Sequence, residues 1–584
     1  MKFNAKIRVP LLLIPMTLFL TLSCQDMLET SSSRIAFEEA NQLKSSTDLF
    51  YSISGILSQV QKIGDKYVLF GELRGDLMTV SENSPLSLKE INQFQITSGN
   101  EFLDKHDYYS VINNCNFALQ RMDTALVIQN EKVMLPAYVE IKTIRAWTYF
   151  QLAQIFGNAV YFQDPMLDMN ASGMQQEVLS LDELVSRLIN DLEPFANVPL
   201  PSSNVSPNNF VPVQILLGDL FLYQNNYEKA AEQYYNYIQT HAVVLTADYA
   251  SRWTSTTFDD VFNNHRDSYL NEAISSIQYN TDPRGLHSSL VSLSYNDKAS
   301  ILPTKNFVDF MSLAPHFFAD KLGNAITATT EGDLRGNISF SKKKLQYGDA
   351  YSFESTTESN SLRLIYKYFY RANESNSGSD PSNQFIPNKL VYQTQLPVYR
   401  IPHLYLRYLE AVNRSGKPSL AFSGLKYGLT SSTISNPAFV NPAEVGGGES
   451  YLNFQNAVFD QNVPIAARGR GYGIPKDTKV YVIPNFTKYL DGVDTNGKPV
   501  KIPSVDVSDI QAAHQDSIEW VELRILDEMA AETSFEGNRF FDLLRISHHR
   551  NNHPTLMAEK VSAKFEDALS MKSKLMDINA WFVK

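Results

Sequence analysis

Apolar residues along 137–156 fall at Ile141, Ile144, Ala146, Trp147, Phe150, Leu152, Ala153 and Phe156. The spacing is helical and the apolar positions nearly encircle the axis, which predicts a helix buried among other helices. Gly157-Asn158 stops it, because both residues tolerate the positive φ at which helices end, and the chain leaves extended toward Pro165. Arg145, near the middle, needs a partner in that setting. Residues 46–63 are amphipathic, with Leu49, Ile53, Ile56, Leu57 and Val60 on one side. Residues 108–125 return to helical spacing, and 181–195 do so behind a capping box of Ser180 and Glu183. Over 213–239, Leu217, Gly218, Phe221, Ala230 and Tyr234 keep the spacing of a tetratricopeptide unit. Small Gly218 and Ala230 let two antiparallel helices approach, and Asn225-Asn226-Tyr227 forms the turn. Further helices are predicted at 399–413 and 517–547. No clean period repeats, so the pattern predicts helical pairs rather than a full solenoid.

Between these blocks the texture is polar. Residues 71–76, GELRGD, read as a turn-rich break, and 81–99 as an exposed loop. From 242 onward the chain is loop-rich with short strands at 273–279 and 362–370, and 371–388 and 428–512 are the least regular stretches. The run Arg468-Gly469-Arg470-Gly471-Tyr472-Gly473 is a glycine-rich basic segment of the kind that cradles anions. No strand precedes it and no helix follows, so it reads as a loop. Arg539, Asp542 and Arg545 are three apart on one helix face, with Glu536 at the turn before them. This alternating ladder reads as a structural ion network, since a carboxylate clamped by two arginines has a lowered pKa and makes a poor general acid.

The N-terminus changes the picture. Lys2, Lys6 and Arg8 precede an uncharged apolar run, 11–22, which is too short to span a bilayer and ends at Leu22-Ser23-Cys24. That is the form of a lipoprotein leader, with Cys24 as the lipidated residue. Residues 1–23 are then the signal peptide and 24–45 a lipidated tether. The chain of 584 residues has a net charge of −12, and loss of a leader holding three basic and no acidic residues takes this to −15. An acidic body argues against nucleic acid as a partner. Beyond Cys24 the only cysteine is Cys115, which fits a small buried residue and no disulfide. Tyr and Phe are plentiful, at 30 and 34; such rings suit stacking on sugar faces as well as filling a core. There is no HExxH cluster, nucleophile elbow or P-loop. No metal or cofactor is expected, although a glycosidase, which needs only two carboxylates, is not excluded by this.

Several segments together resemble the SusD/RagB family of outer-membrane lipoproteins of Bacteroidetes. They are the lipobox with CQDMLE, ELRGD at 72–76, IRAWTYFQLAQIFGNAV at 144–160, ILPTKNFVDFM at 301–311, GDLR at 332–335, YRIPHLYLRYLEAVN at 399–413 and FEGNRFFDLLR at 535–545. The long insertion at about 428–512 and the abbreviated end INAWFVK depart from the family pattern. The resemblance implies a mainly α fold: a tetratricopeptide-like helical-pair scaffold with an irregular loop-rich ligand face and a few short strands. It divides the mature chain into an N-terminal helical region, 46–241, and a C-terminal region, 242–584. It further implies a non-catalytic receptor, lipid-anchored on the outer face of the outer membrane, that hands oligosaccharides to a SusC-like TonB-dependent transporter. An oligopeptide receptor of the same architecture and a surface glycoside hydrolase are the alternatives. In the family the ligand face draws on the loop after the first helices and on the middle of the chain. Here those segments offer Arg74, Asp76, Asn92 and Phe94, then Tyr295, Asn296 and Asp297. Glu536, Arg539, Asp542 and Arg545 are expected to hold the C-terminal helices on the scaffold.

Overall fold

A computed structural model describes residue 43 and residues 45–584. Excepted are 168–175, 200–210, 246–271, 280–284, 295–297, 320–324, 329–331, 341–343, 346–352, 355–362, 369–394, 471–481, 551–552 and positions 315, 334, 366 and 456. The proposed leader and Cys24 lie outside the described residues. Among the described residues no helix is long and apolar enough to cross a membrane.

Helices carry the architecture. In chain order they are α1 (Ser46–Leu73), α2 (His106–Gln120), α3 (Leu135–Phe156), α4 (Leu181–Leu192), α5 (Val213–Tyr223) and α6 (Tyr227–Thr240). Then follow α7 (Ile401–Arg414), α8 (Pro418–Lys426), α9 (Val507–Thr533), α10 (Arg539–His549), α11 (Thr555–Ser562) and α12 (Ala568–Leu575). From α1 to α7 each packs on the next, α9 packs on α7 and α8, and α10 returns to α1. α6 and α7 pack directly although 160 residues separate them, so the regions before and after residue 242 share one apolar core that runs from Leu49 to Val583.

Local chemistry explains the pieces. α3 is buried on every side from Val139 to Phe156. Its Arg145 is satisfied by Asp191 at 2.8 Å and by the Asn116 side-chain oxygen at 2.7 Å. Gly157 ends the helix with φ of 79°, and the extended exit, β2 (Asn158–Tyr161), pairs with β3 (Glu177–Ser180). The capping box forms, with Ser180 and Glu183 bonded reciprocally. The α5–α6 pair is as tight as the tetratricopeptide spacing requires, since a Cβ on Gly218 would sit 2.4 Å from the Tyr234 ring. Cys115 is buried and unpaired, and burial pushes its thiol up to about 12.

The structure corrects several expectations. The turn in the 71–76 stretch is confined to 74–76: α1 continues to Leu73 and its Gly71 packs against Gly537, in the loop before α10. Residues 81–99 hold a short helix, Leu86–Asn92, with Leu88 and Ile91 buried. The run at 362–370 contributes only a single bridge, Ile365 to Phe340, whereas β4 (Ala273–Gln278) forms as expected. The helical block at 517–547 is two helices, α9 and α10, with Glu536 in the turn between them as expected, where Phe535 and Gly537 take positive φ. Within 428–512 lie several helical turns and a hairpin, β7 (Tyr489–Val493) with β8 (Pro499–Pro503), its residues largely exposed on both faces.

The two ends of the chain are clasped. Lys564 Nζ donates to the carbonyls of Leu73 (2.5 Å), Gly75 (2.8 Å) and Met78 (3.1 Å), closing the C-terminal end of α1. Glu72 Oε1 accepts from the Gly537 and Asn538 N–H groups at 2.8 and 3.2 Å. Burial pushes the Glu72 carboxyl up to about 8, outweighing the backbone N–H groups and Arg539, which favour its charged form.

Candidate functional site

A cleft of about 340 Å3 opens between α1, α3 and a strand ribbon. The ribbon is β4 against β6 (Gln395–Arg400), antiparallel, with Gln278 opposite Gln395 and Ala273 opposite Arg400. α1 is fastened to it: Gln61 Nε2 donates to the Gln278 carbonyl at 2.6 Å, and the Tyr279 hydroxyl donates to the Gln61 carbonyl at 3.3 Å. The apolar wall is Leu57, Val60, Ile144, Trp147, Ile277 and Val398. Ser54, Ser58, Gln61, Ser275, Ser276 and Gln278 supply the polar groups, and Phe50 and Val211 complete the lining. Phe50, Ser54, Leu57, Ser58 and Gln61 recur at three- and four-residue spacing, so they form one stripe of α1. Phe50 is 44% exposed and Trp147 only 2%; the indole is floor and the phenyl ring is the accessible aromatic. Among the described residues no charged side chain lines the cleft.

The far end of the ribbon is locked into a buried ion cluster. Arg400, the last residue of β6, pairs with Glu272 (3.1 Å), Glu532 (3.4 Å) and Glu536 (2.8 Å). Arg468 pairs with Glu272 and Glu532 at 2.8 and 3.1 Å. Arg335 joins Asp333, Glu528 and Glu532 at 2.6, 2.8 and 3.1 Å, and Arg470 joins Asp333 and Glu528 at 3.0 Å each. Lys367 meets Glu536 at 2.7 Å. Five acids thus face five bases. Burial alone would raise the Glu532 carboxyl, but Arg468, Arg335 and Arg400 outweigh it and hold the group far below the usual carboxylate range. For Asp333, Arg335 and Arg470 likewise outweigh burial and bring it to about 2. Arg468 and Arg470 lie on a helical turn, Ala467–Arg470, and are buried. Residues 468–470 of the basic glycine-rich stretch are therefore not a surface loop, and 471–473 lie outside the described residues. The charges of Arg468 and Arg470 are neutralised by acids that stand elsewhere in the sequence.

The structure also places the residues singled out for the ligand face. β1 (Met78–Val80) pairs with β5 (Ile301–Pro303), Ser81 Oγ donates to the Ala299 carbonyl at 2.6 Å, and Ser84 Oγ donates to the Ser300 carbonyl. The loop after α1 and the middle of the chain are thereby joined. Tyr295, Asn296 and Asp297 lie outside the described residues. Arg74, Asp76, Asn92 and Phe94 do not project outward: Arg74 and Asn92 are buried, and Asp76 and Phe94 half-buried. The Arg74 guanidinium is 3.9 Å from the Phe540 ring centroid and 5.3 Å from that of Phe94. Burial lowers its pKa to about 9. The reason is burial of the turn itself: Arg74 caps the C-terminal end of α1 and packs on Phe540 instead of facing solvent.

Asp76 instead pairs with Arg539 at 2.5 Å; burial favours its neutral form, but Arg539 holds the pKa down. Arg545 reaches Glu410 of α7 at 2.6 Å and Asp542 at 3.1 Å, and Asp542 pairs with Arg407 at 2.8 Å. Glu536 belongs to the Arg400 cluster. These four residues tie α10 and its preceding turn to α1, α7 and β6. The ladder differs from expectation in one respect. Asp542 is not held low, because burial outweighs Arg407 and Arg539 and raises its carboxyl to about 6.

The cleft residues carry a weak sequence signal. Ser54, Ser58 and Gln61 form the polar face of an amphipathic helix, which solvent alone accounts for. Only the ribbon, paired across 120 residues, turns that face into a wall. Among the described residues no group of three or more His, Cys, Asp or Glu side chains could hold a metal ion.

No family model matches the chain. It is 25% identical over 185 residues to the SusD-like protein P25 of Formosa agariphila, a match covering 31% of this chain and 32% of that protein. The match thus spans about a third of the curated relative's length. Solved structures agree over far more of the chain. A SusD homolog from Bacteroides thetaiotaomicron aligns with a TM-score of 0.56 at 15% identity, covering 91% of this chain and 92% of that one. A SusD superfamily protein from Bacteroides vulgatus gives 0.54 at 16% identity over 90% and 92%. A SusD-like carbohydrate binding protein from Bacteroides fragilis gives 0.51 at 15% identity over 87% and 88%. Over nearly its whole length, therefore, the chain has the fold of these SusD superfamily proteins.

Proposed function

We propose that the chain is a non-catalytic carbohydrate-binding lipoprotein. It is anchored through Cys24 to the outer membrane, faces the cell exterior and passes oligosaccharides to a SusC-like TonB-dependent transporter. The observation that carries the sugar-binding reading is the fold, which the chain shares over 87% of its length with a protein described as carbohydrate binding. The leader and Cys24 support the anchor. The ion pairing supports a binding role: the carboxylates of the large cluster are committed to arginines and lysine, and Glu532 and Asp333, held below the usual carboxylate range, are poor proton donors.

Purified protein run through gels containing neutral and acidic polysaccharides is expected to be retarded by at least one, with no new reducing ends on prolonged incubation. Retardation by none, together with capture of a peptide pool, would favour a peptide receptor; new reducing ends would make it a hydrolase. For the anchor, Cys24→Ala is expected to abolish palmitate labelling and release the protein from membranes, and labelling that persists would remove Cys24 from that role.

A further inference from the structure

We propose that the cleft between α1, α3 and the β4–β6 ribbon binds a neutral glycan segment about two sugar rings long, packed on Phe50 and bonded through Ser54, Ser58 and Gln61. This deepens the carbohydrate-binding reading and rests on it.

Charge sets the ligand class. Among the described residues no Asp, Glu, Lys, Arg or His lines the wall, and the charges at the far end of the ribbon face one another rather than the cleft. Glu140 lies one turn before Ile144 on the same face of α3; it is buried, and neither carboxylate oxygen has a partner. Burial alone raises its pKa well above the usual range, so it adds no charge to this side of the helix. An anionic sugar entering such a site would lose hydration with no cation to replace it. A neutral sugar loses only hydroxyl hydrogen bonds, which serine hydroxyls and glutamine amides restore.

Size sets the length. Ligand pockets run from about 300 to 1,000 Å3, and a cleft of about 340 Å3 is at the small end. It encloses a short segment and leaves the rest of a longer chain outside. Geometry sets the orientation: the phenyl ring of Phe50, half in solvent at the start of the α1 stripe, offers a flat face to the C–H side of a ring. The hydroxyls then point to the serine and glutamine stripe and to the backbone-fastened Gln278.

The test uses the full-length protein titrated calorimetrically with maltose, cellobiose, laminaribiose and xylobiose, with digalacturonic acid as the charged probe and a neutral tetrapeptide pool as the competing class. At least one neutral disaccharide is expected to bind and digalacturonic acid is not. Phe50→Ala is expected to weaken binding about tenfold with little change in melting temperature, as for a truncated aromatic contact at a hot spot. Ser54→Trp, which fills the cleft, is expected to abolish it. Binding unchanged in Phe50→Ala, or binding only of digalacturonic acid or the peptides, overturns the assignment. If Ser54→Trp and wild type are retarded equally by the same polysaccharide, carbohydrate binding stands and the cleft is not its site. If wild type is retarded by no polysaccharide, the underlying reading fails first.

Discussion

Glu532→Ala is expected to cost about 3–5 kcal/mol of folding stability at neutral pH, the range for removing one partner of a buried ion pair. Glu532 is fully buried and touches Arg335, Arg400 and Arg468. The three guanidiniums stay charged whatever their setting, so the variant holds an uncompensated excess of positive charge in the core. Arg400 ends the ribbon that walls the cleft, so the loss loosens that wall as well. Acid denaturation gives the same result a second readout. Asp333 has a folded pKa of about 2, below its ordinary value near 3.9. Glu522 also lies at about 2, where the nearby His549 ring and Arg414 outweigh burial. A carboxylate with a depressed folded pKa stabilises the fold above its unfolded pKa, and that contribution is lost as pH falls through the folded value. Wild-type stability should therefore drop between about pH 4 and pH 2. Glu532→Ala, lacking one depressed carboxylate, should show a shallower acid limb from a lower plateau. Equilibrium urea unfolding across pH 2–7 measures both. A neutral-pH loss under about 1 kcal/mol, the scale of an exposed ion pair, would show that the cluster is solvated.

Gly71→Ala should destabilise by about 3 kcal/mol or more, at or beyond the upper end of overpacking costs. In an exposed helix interior the same change favours folding by about 1 kcal/mol, so the sign decides. Gly71 lies inside α1, where its Cβ would stand 1.9 Å from the Gly537 carbonyl oxygen. Neither backbone yields easily. Gly537 has a φ of +89° and would itself meet the Tyr67 ring at 2.7 Å if given a Cβ. Gly55 on the same helix is the control: it is exposed, and nothing lies within 4 Å of its Cβ position. Gly55→Ala should raise the melting temperature slightly and Gly71→Ala should lower it by several degrees. If both shift the same way, the approach of α1 to the α9–α10 turn is looser than described.

These residues also show what was legible in the sequence. The all-round apolar α3 and the close α5–α6 pair follow from periodicity and small residues, because the information is local. Gly71 is local too, but its meaning is not. GELRGD has the composition of a turn, and only Gly537, 466 positions later, explains why glycine must stand in a helix there. Arg468 and Arg470 repeat the lesson. Adjacent glycines make them look like a solvated loop, and the acids that bury them are spread from Glu272 to Glu532. The site was less legible than the fold for the same reason. Serines on α1 and in β4 are ordinary in their own segments and become a cleft wall only once Gln61 bonds Gln278. Arg74 and Asp76 carry the polarity of a ligand face, but their charge is spent on Phe540 and Arg539.

The clasp between the ends of the chain has a consequence for the order of folding. Gly537, Asn538, Arg539 and Lys564 reach α1 and the turn after it only when synthesis is nearly finished, so the contacts that seal the first helix span up to 491 positions of sequence. Contacts of that kind form late, after the long loop between them has been closed. A chain missing its last fifty residues therefore leaves uncovered the side of α1 that meets the 534–538 turn and α10.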